Sequence, residues 1–146
     1  MKRGKVLATV MLLGCILCLN ILSGCSRQYS TPQDTLNTMT KASKDNDIDK
    51  FIDCIDLEFL KSIYSNTHPN TEVPDKTIKN LIKQNVQASI SKFMELLKNN
   101  KIAVLYEKDI AVNAKELTIS PEFAEQKLVF INRAGKWKLS MEQTFQ

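Results

Sequence analysis

The hydrophobic period of this chain changes near Lys101, and few fold classes accommodate such a change. Before it, apolar residues recur three and four apart: Ile48, Phe51, Ile52, Ile55 and Phe59, then Ile78, Ile82, Val86, Ile90, Phe93 and Leu97. That spacing lines one face of a helix. After it, Ile102, Val104 and Tyr106 alternate, Leu117 and Ile119 alternate again, and Leu128 to Ile131 is a continuous apolar run. Period two belongs to strands with one buried face. Three helices followed by consecutive antiparallel strands predict an α+β domain.

Local signals set the boundaries. Thr31-Pro32-Gln33-Asp34 opens the first helix: Thr31 caps, Pro32 suits the first helical position, and Asp34 sits at the acidic position of a capping box. Leu36, Met39 and Ala42 give it a modest apolar stripe to about Lys44. The acidic stretch "KDNDIDKF" turns the chain into a second helix, predicted to reach about Tyr64 with a possible break near Asp56. Residues Ser65 to Asp75 contain two prolines and no periodicity, which predicts a loop. Asn99-Asn100 stops the third helix. In "FINRAGKWKLSM" a hairpin turns at Gly135, which is free to take positive φ. On its second strand Trp137, Leu139 and Met141 are predicted to face inward, with Lys136, Lys138 and Ser140 facing out.

The first residues carry a different message. Lys2, Arg3 and Lys5 precede Val6 to Leu22, which is apolar apart from Thr9, Gly14 and Asn20. A basic start, an apolar stretch and small residues at Ser23-Gly24 make an export signal. A short membrane-spanning helix is the rival, since such a stretch sits at the lower length limit for spanning. Leu22-Ser23-Gly24-Cys25 resembles the lipobox of bacterial lipoprotein precursors at all four positions. The resemblance implies cleavage between Gly24 and Cys25 and a diacylglyceryl group on the Cys25 thiol. The modified atom must be a soft nucleophile, which a thiolate supplies. Two acyl chains hold a protein stably at a bilayer where one holds only reversibly. Residues 1–24 are then a signal peptide, 25–31 the lipidated cysteine with a polar tether "SRQYST", and 32–146 the folded domain. The expected location is the cell membrane or outer membrane, lipid-anchored, with the domain outside the cytoplasm. Ser26, rather than aspartate, points to the outer membrane in a cell that has two.

Composition matters once that segment is set aside. The full chain has 20 Lys+Arg and 16 Asp+Glu; removing Lys2, Arg3 and Lys5 leaves 17 against 16. A nearly neutral domain has no electrostatic footprint for nucleic acid. Cys54 is then the one cysteine besides Cys25, so an intrachain disulfide is not expected. Gly135 is the one glycine left, which excludes glycine-rich phosphate loops.

Three segments, "TPQDTLNTM", "DNDIDKFIDCID" and "LVFINRAGKWKLSM", resemble the cystatin-like cone of the nuclear transport factor two superfamily. More narrowly they are similar to small bacterial lipoproteins with a lumazine-binding-like domain. The resemblance spans about residues 31–142. It implies a curved antiparallel sheet of about four strands wrapped on three N-terminal helices, leaving a cone-shaped pocket. The chain departs from the pattern at "AVNAKELTISPEFAEQ", where Pro121 interrupts the middle strand and leaves the pairing there open.

Several residue sets invite sharper readings. Asp45, Asp47, Asp49 and Asp56 have the spacing of a calcium loop, but Lys50 stands where the turn requires glycine. Acids at a helix N-terminus, favoured by its dipole, explain them better. His68 is the only histidine and sits in the predicted loop, without the ligand set of a zinc site or the acid of a catalytic triad. Cys54 lies between Asp53 and Asp56, which oppose a reactive thiolate, so half-buried packing is expected. Asp56, Tyr64, Tyr106 and Asp109 are the acids and phenols a cone-pocket enzyme would need to bring together. Lys136-Trp137-Lys138 pairs bases with an aromatic, but alternation puts Trp137 on the opposite face from both lysines. The expectation is a non-enzymatic envelope module without cofactor or metal. It is anchored to membrane lipid through acylated Cys25 and binds an envelope protein or a small apolar ligand. An isomerase- or hydrolase-like enzyme and a purely structural component are the alternatives.

Overall fold

A computed structural model describes residues 28–69, 72–85, 87–120 and 125–144. The expected signal, and the cleavage and acylation expected at Gly24 and Cys25, lie outside these residues. The described chain is α+β, with helices packed against one four-stranded antiparallel sheet in the order β1-β2-β3-β4.

Helix α1 (Pro32–Asp45) starts where the Thr31 hydroxyl accepts from the Asp34 N–H at 3.0 Å. It ends at Asn46, whose φ of 53° is left-handed. Helix α2 (Ile48–Ile52) is capped by Asp47, whose carboxylate accepts from the Lys50 N–H. The apolar stripe predicted to run on toward Tyr64 breaks after Ile52 and resumes in α3 (Glu58–Thr67). The sheet edge causes the break. The Leu139 N–H donates to the Cys54 carbonyl and the Asp56 N–H to the Leu139 carbonyl, each at 2.8 Å. The Cys54 carbonyl and the Asp56 N–H are therefore given to a strand, while the N–H groups of residues 53–55 still bond back to Asp49, Phe51 and Ile52. Helix α3 also runs three residues past Tyr64, into the stretch predicted to be loop. Helices α4 (Asp75–Asn85) and α5 (Gln87–Asn99) follow, on either side of residue 86, which lies outside the described set.

The strands are β1 (Ala103–Ala111), β2 (Ala114–Ser120), β3 (Gln126–Arg133) and β4 (Lys136–Leu139), closed by a short α6 (Met141–Thr144). Ile119 pairs with Val104 on one side and Gln126 on the other, so β2 and β3 are adjacent across the interval holding Pro121. The β3–β4 turn is two residues, Ala134 at φ 51° and Gly135 at φ 80°. Two successive positive φ values match the twist of the flanking strands. From the helices, Leu36, Met39, Phe51 and Ile52 are buried against Leu117, Ile119, Leu128, Phe130 and Leu139 of the sheet. Burying each such side chain is worth roughly 1.5–3 kcal/mol, so this layer dominates the fold's stability.

Three predicted orientations are corrected. Tyr106 does not share Val104's face: the register shifts between them, Val104 opposing Ile119 and Tyr106 opposing Thr118. The extra residue, Leu105, flips the strand, and Tyr106 is 68% exposed. Ser140 does not continue β4, because the chain turns into α6 over β3, although Met141 still packs against the core as expected. The Ser140 N–H donates to Val129 O at 2.7 Å and Ser140 is buried, not outward-facing. Cys54 is wholly buried, not half-buried.

Candidate functional site

Two concavities flank the segment that joins α2 to α3. The first is a cleft of about 850 Å³ between residues 53–58, the start of α4 and the β3–β4 hairpin. Asp56 forms its floor, 5% exposed at the side chain, and its Oδ2 accepts from Arg133 Nη2 at 3.0 Å and Nε at 3.3 Å. Lys79 Nζ lies 2.5 Å from Asp53 Oδ1. Lys61 bridges Glu58 at 3.0 Å and Asp75 at 2.5 Å. Each carboxylate of the cleft is thus engaged in an ion pair, Glu58 and Asp75 sharing Lys61.

Behind this rim lies a tighter cluster. The Lys138 ammonium donates to the Asp53 carbonyl and sits 3.8 Å from the centre of the Tyr29 ring. Such a cation over an aromatic face is favourable by ~0.5–2 kcal/mol. The Cys54 thiol donates to the Lys50 carbonyl at 3.3 Å and is close enough to Tyr29 for the two to raise or lower each other's acidity. Burial pushes the Cys54 thiol up from 9.0 to about 12, despite the opposing charge of Lys138. Burial, followed by the proximity of Cys54 and Asp53, raises the Tyr29 phenol from 10.0 to about 12. Burial moves Lys138 down. Near neutral pH the thiol and the phenol keep their protons, so the cluster supplies no thiolate nucleophile.

The candidate residues named from sequence do not converge. Asp56 is in the cleft. Tyr64 lies on α3, its ring stacked on His68 at 4.2 Å. Tyr106 projects from the other face of the sheet, and Asp109 sits on β1, 3.4 Å from Lys115. Asp47 caps α2, Asp49 pairs with Lys83 and Asp56 with Arg133, so the calcium-spaced acids are dispersed among other partners. Among the described residues no three potential metal ligands cluster. His68 caps the end of α3 and is exposed. Tyr29, Lys79 and Arg133 were not singled out from sequence. Of the three, only Arg133 has a linear signal, the basic character of "NRAGKWK" beside a turn.

The second concavity is apolar. About 350 Å³ lies between α2, α3, α5 and the end of β4, lined by Phe51, Ile55, Phe59, Leu60, Phe93 and Met141. A smaller space of about 240 Å³ continues on the far side of Leu60, between α3 and α4, past Ile63, Tyr64 and Leu81. Helix α3 separates the two and buries none of its residues fully, although its apolar side chains face both spaces. Few polar groups interrupt the lining, so the space suits an uncharged apolar molecule of modest size.

No helix among the described residues is long and apolar enough to cross a membrane. Compared with protein-family models, with curated proteins and with solved structures, the chain matches none.

Proposed function

We propose that the protein is a lipid-anchored envelope lipoprotein whose domain is a non-enzymatic binding module for a small apolar ligand. The anchor is the acylated Cys25 of the Leu22-Ser23-Gly24-Cys25 lipobox, and the domain stands outside the cytoplasm on the cell or outer membrane. The domain is a cystatin-like cone. Its bent sheet draws support from the two places in β1 where the register shifts, since bulges bend and twist a strand.

The apolar space beneath α3 carries the binding part of this reading. The middle of the sheet face is filled by Leu117, Leu128 and Phe130, but the space beside it is open and lined by hydrocarbon. The test is binding of a fluorescent fatty-acid probe by the purified protein. Leu60→Trp, which fills the space, should abolish binding, and Tyr106→Ala on the other side of the sheet should leave it unchanged. Failure of the unaltered protein to bind, or undiminished binding by Leu60→Trp, would reject the reading. Intact-mass analysis of the native product tests the anchor separately.

One observation favours the enzyme alternative: the perturbed Lys138 lies against Tyr29 at the edge of the polar cleft. On that reading Lys138→Met should remove a hydrolase- or isomerase-like turnover measurable in the unaltered protein.

A further inference from the structure

The geometry points to a membrane-facing end of the domain: the end of the sheet that carries both hairpin turns lies on the bilayer that holds Cys25, with Val112 as its apolar contact. This rests on the lipid anchor proposed above and adds an orientation that the anchor alone does not give.

The first support is the position at which the chain enters the fold. The Gln28 carbonyl accepts from Thr38 Oγ1 at 3.1 Å, and the Tyr29 carbonyl accepts from the Trp137 N–H at 2.8 Å. Two residues of the expected tether are therefore bound to the fold, Gln28 to α1 and Tyr29 to the outer edge of β4. Cys25 precedes Gln28 by three residues, which span at most ~11 Å at ~3.6 Å each. A bilayer holding Cys25 cannot be far from β4.

The second support is the row of residues that crosses the sheet at this level. Trp137 bonds to Tyr29 on its outer side and pairs with Asn132 on its inner side, and the Asn132 N–H donates to the Asn113 carbonyl at 2.7 Å. With strands ~4.8 Å apart, Tyr29 and Asn113 are separated by only ~15 Å. Beyond that row lie the two turns, Ala134–Gly135 and the one containing Val112. The opposite end of the domain is remote. From Pro32 the 14 residues of helix α1 carry the chain away to Asn46, which Lys98 of α5 contacts at 3.1 Å. At ~1.5 Å per residue that is ~21 Å.

The third support is what this end exposes. Val112 is fully solvent-exposed at the tip of the β1–β2 turn and Ile110 is 42% exposed beside it. Apolar side chains at such a tip are unfavourably exposed in water and gain on entering the lipid interface. Charge adds little here. Lys115 is engaged by Glu107 and Asp109, and Arg133 by Asp56, leaving exposed Lys136 with no described partner. Contact should therefore depend weakly on anionic lipid and on salt.

The test uses the acylated protein in phosphatidylcholine vesicles, with an environment-sensitive fluorophore on Val112→Cys, on Lys136→Cys, or on Asn99→Cys at the far end. A quencher is attached to the lipid headgroup. Flotation with the vesicles reports the anchor independently. Several-fold stronger quenching at Val112 and Lys136 than at Asn99 supports the orientation, as does little change when anionic lipid is added. Flotation with equal quenching at all three sites, or strongest quenching at Asn99, overturns the orientation and leaves the anchor standing. Protein that does not float overturns both.

Discussion

The strands β4 and β1 both end the sheet, yet their outer edges are treated in opposite ways. The outer edge of β4 is covered: Tyr29 accepts from Trp137, Cys54 accepts from Leu139, and Ile55 forms a parallel bridge with Leu139. The Thr35 hydroxyl adds a donation to the Trp137 carbonyl at 2.7 Å. β1, at nine residues the longest strand, has no neighbour on its outer side among the described residues, and is largely exposed. Register shifts at Leu105 and Ile110 and the charged run Glu107-Lys108-Asp109 occupy it instead. Bulges and charges are the usual means of keeping a free edge from pairing. One edge is protected by the chain's own backbone, the other by being unattractive to any partner strand.

The largest expected contrast comes from truncating an apolar residue at each edge. Ile55 is 4% exposed and Leu105 is 42% exposed. Ile55→Ala should cost ~2–5 kcal/mol, the range for a buried aliphatic side chain that leaves a cavity. Leu105→Ala should fall within ~0.5 kcal/mol of the parent. Denaturant unfolding of the two variants measures both. Comparable losses would mean that β1 is covered in solution, contrary to the bare edge described here.

Alkaline pH should weaken the covered edge. Cys54 and Tyr29 are both raised to about 12 in the fold, from 9.0 and 10.0. Stability tied to a raised group is intact below the unfolded value and is lost as pH climbs toward the folded one. The loss should thus begin near pH 9 and continue to about 12. Lys138 is shifted down and contributes the opposite slope below its ordinary 10.5, a partial offset. Thermal unfolding between about pH 8 and about pH 11 should show a falling midpoint, and Cys54→Ala should flatten the fall. An identical slope in that variant would remove the thiol from the account.

Thr35→Val tests a single tie to the covered edge. The hydroxyl of Thr35 is wholly buried and bonds the Trp137 carbonyl. Its loss leaves that carbonyl short of a donor and should cost ~1 kcal/mol, since valine keeps the shape. On the bare edge, replacing Glu107, Lys108 and Asp109 together by Thr should change the monomer's stability little. It should nevertheless produce concentration-dependent association on size exclusion. A strictly monomeric triple variant would show that the bulges alone protect the edge.

The same contrast explains what the sequence made legible. The helix faces were readable because Ile78, Ile82, Ile90, Phe93 and Leu97 bury at the spacing their own helices impose. The sheet was readable wherever alternation continued, as at Leu117 and Ile119. Tyr106 was not, because a bulge is one residue of register that leaves no mark in composition. Ser140 was not, because α6 covers a face of β3 that alternation assigns to solvent. The polar cleft was least legible. Tyr29 meets Trp137 and Asp56 meets Arg133 across long stretches of chain, so no local spacing encodes either pairing. The apolar space beneath α3 was equally hidden, since Phe59 and Leu60 look the same in sequence whether packed or lining a gap.

The smallest expected effect concerns the turn that brings β4 to its covered edge. Ala134 and Gly135 both hold positive φ, at 51° and 80°. A left-handed conformation costs an ordinary L-residue roughly 1–2 kcal/mol, and asparagine less because its side chain bonds locally. Ala134→Gly would relieve the strain but add freedom to the unfolded chain, worth ~0.4–1 kcal/mol in the other direction. Asparagine avoids that penalty and creates the Asn-Gly pair that two-residue hairpin turns favour. Ala134→Asn should therefore stabilise by ~0.5–1 kcal/mol, and by more than Ala134→Gly does. Gly135→Ala should destabilise for the same backbone reason, since a methyl group there meets no atom within 4 Å. If Gly135→Ala is neutral, or Ala134→Gly stabilises more than Ala134→Asn, backbone strain is not what sets this turn. The register that delivers β4 to Tyr29 and Cys54 would then have to come from the edge contacts themselves.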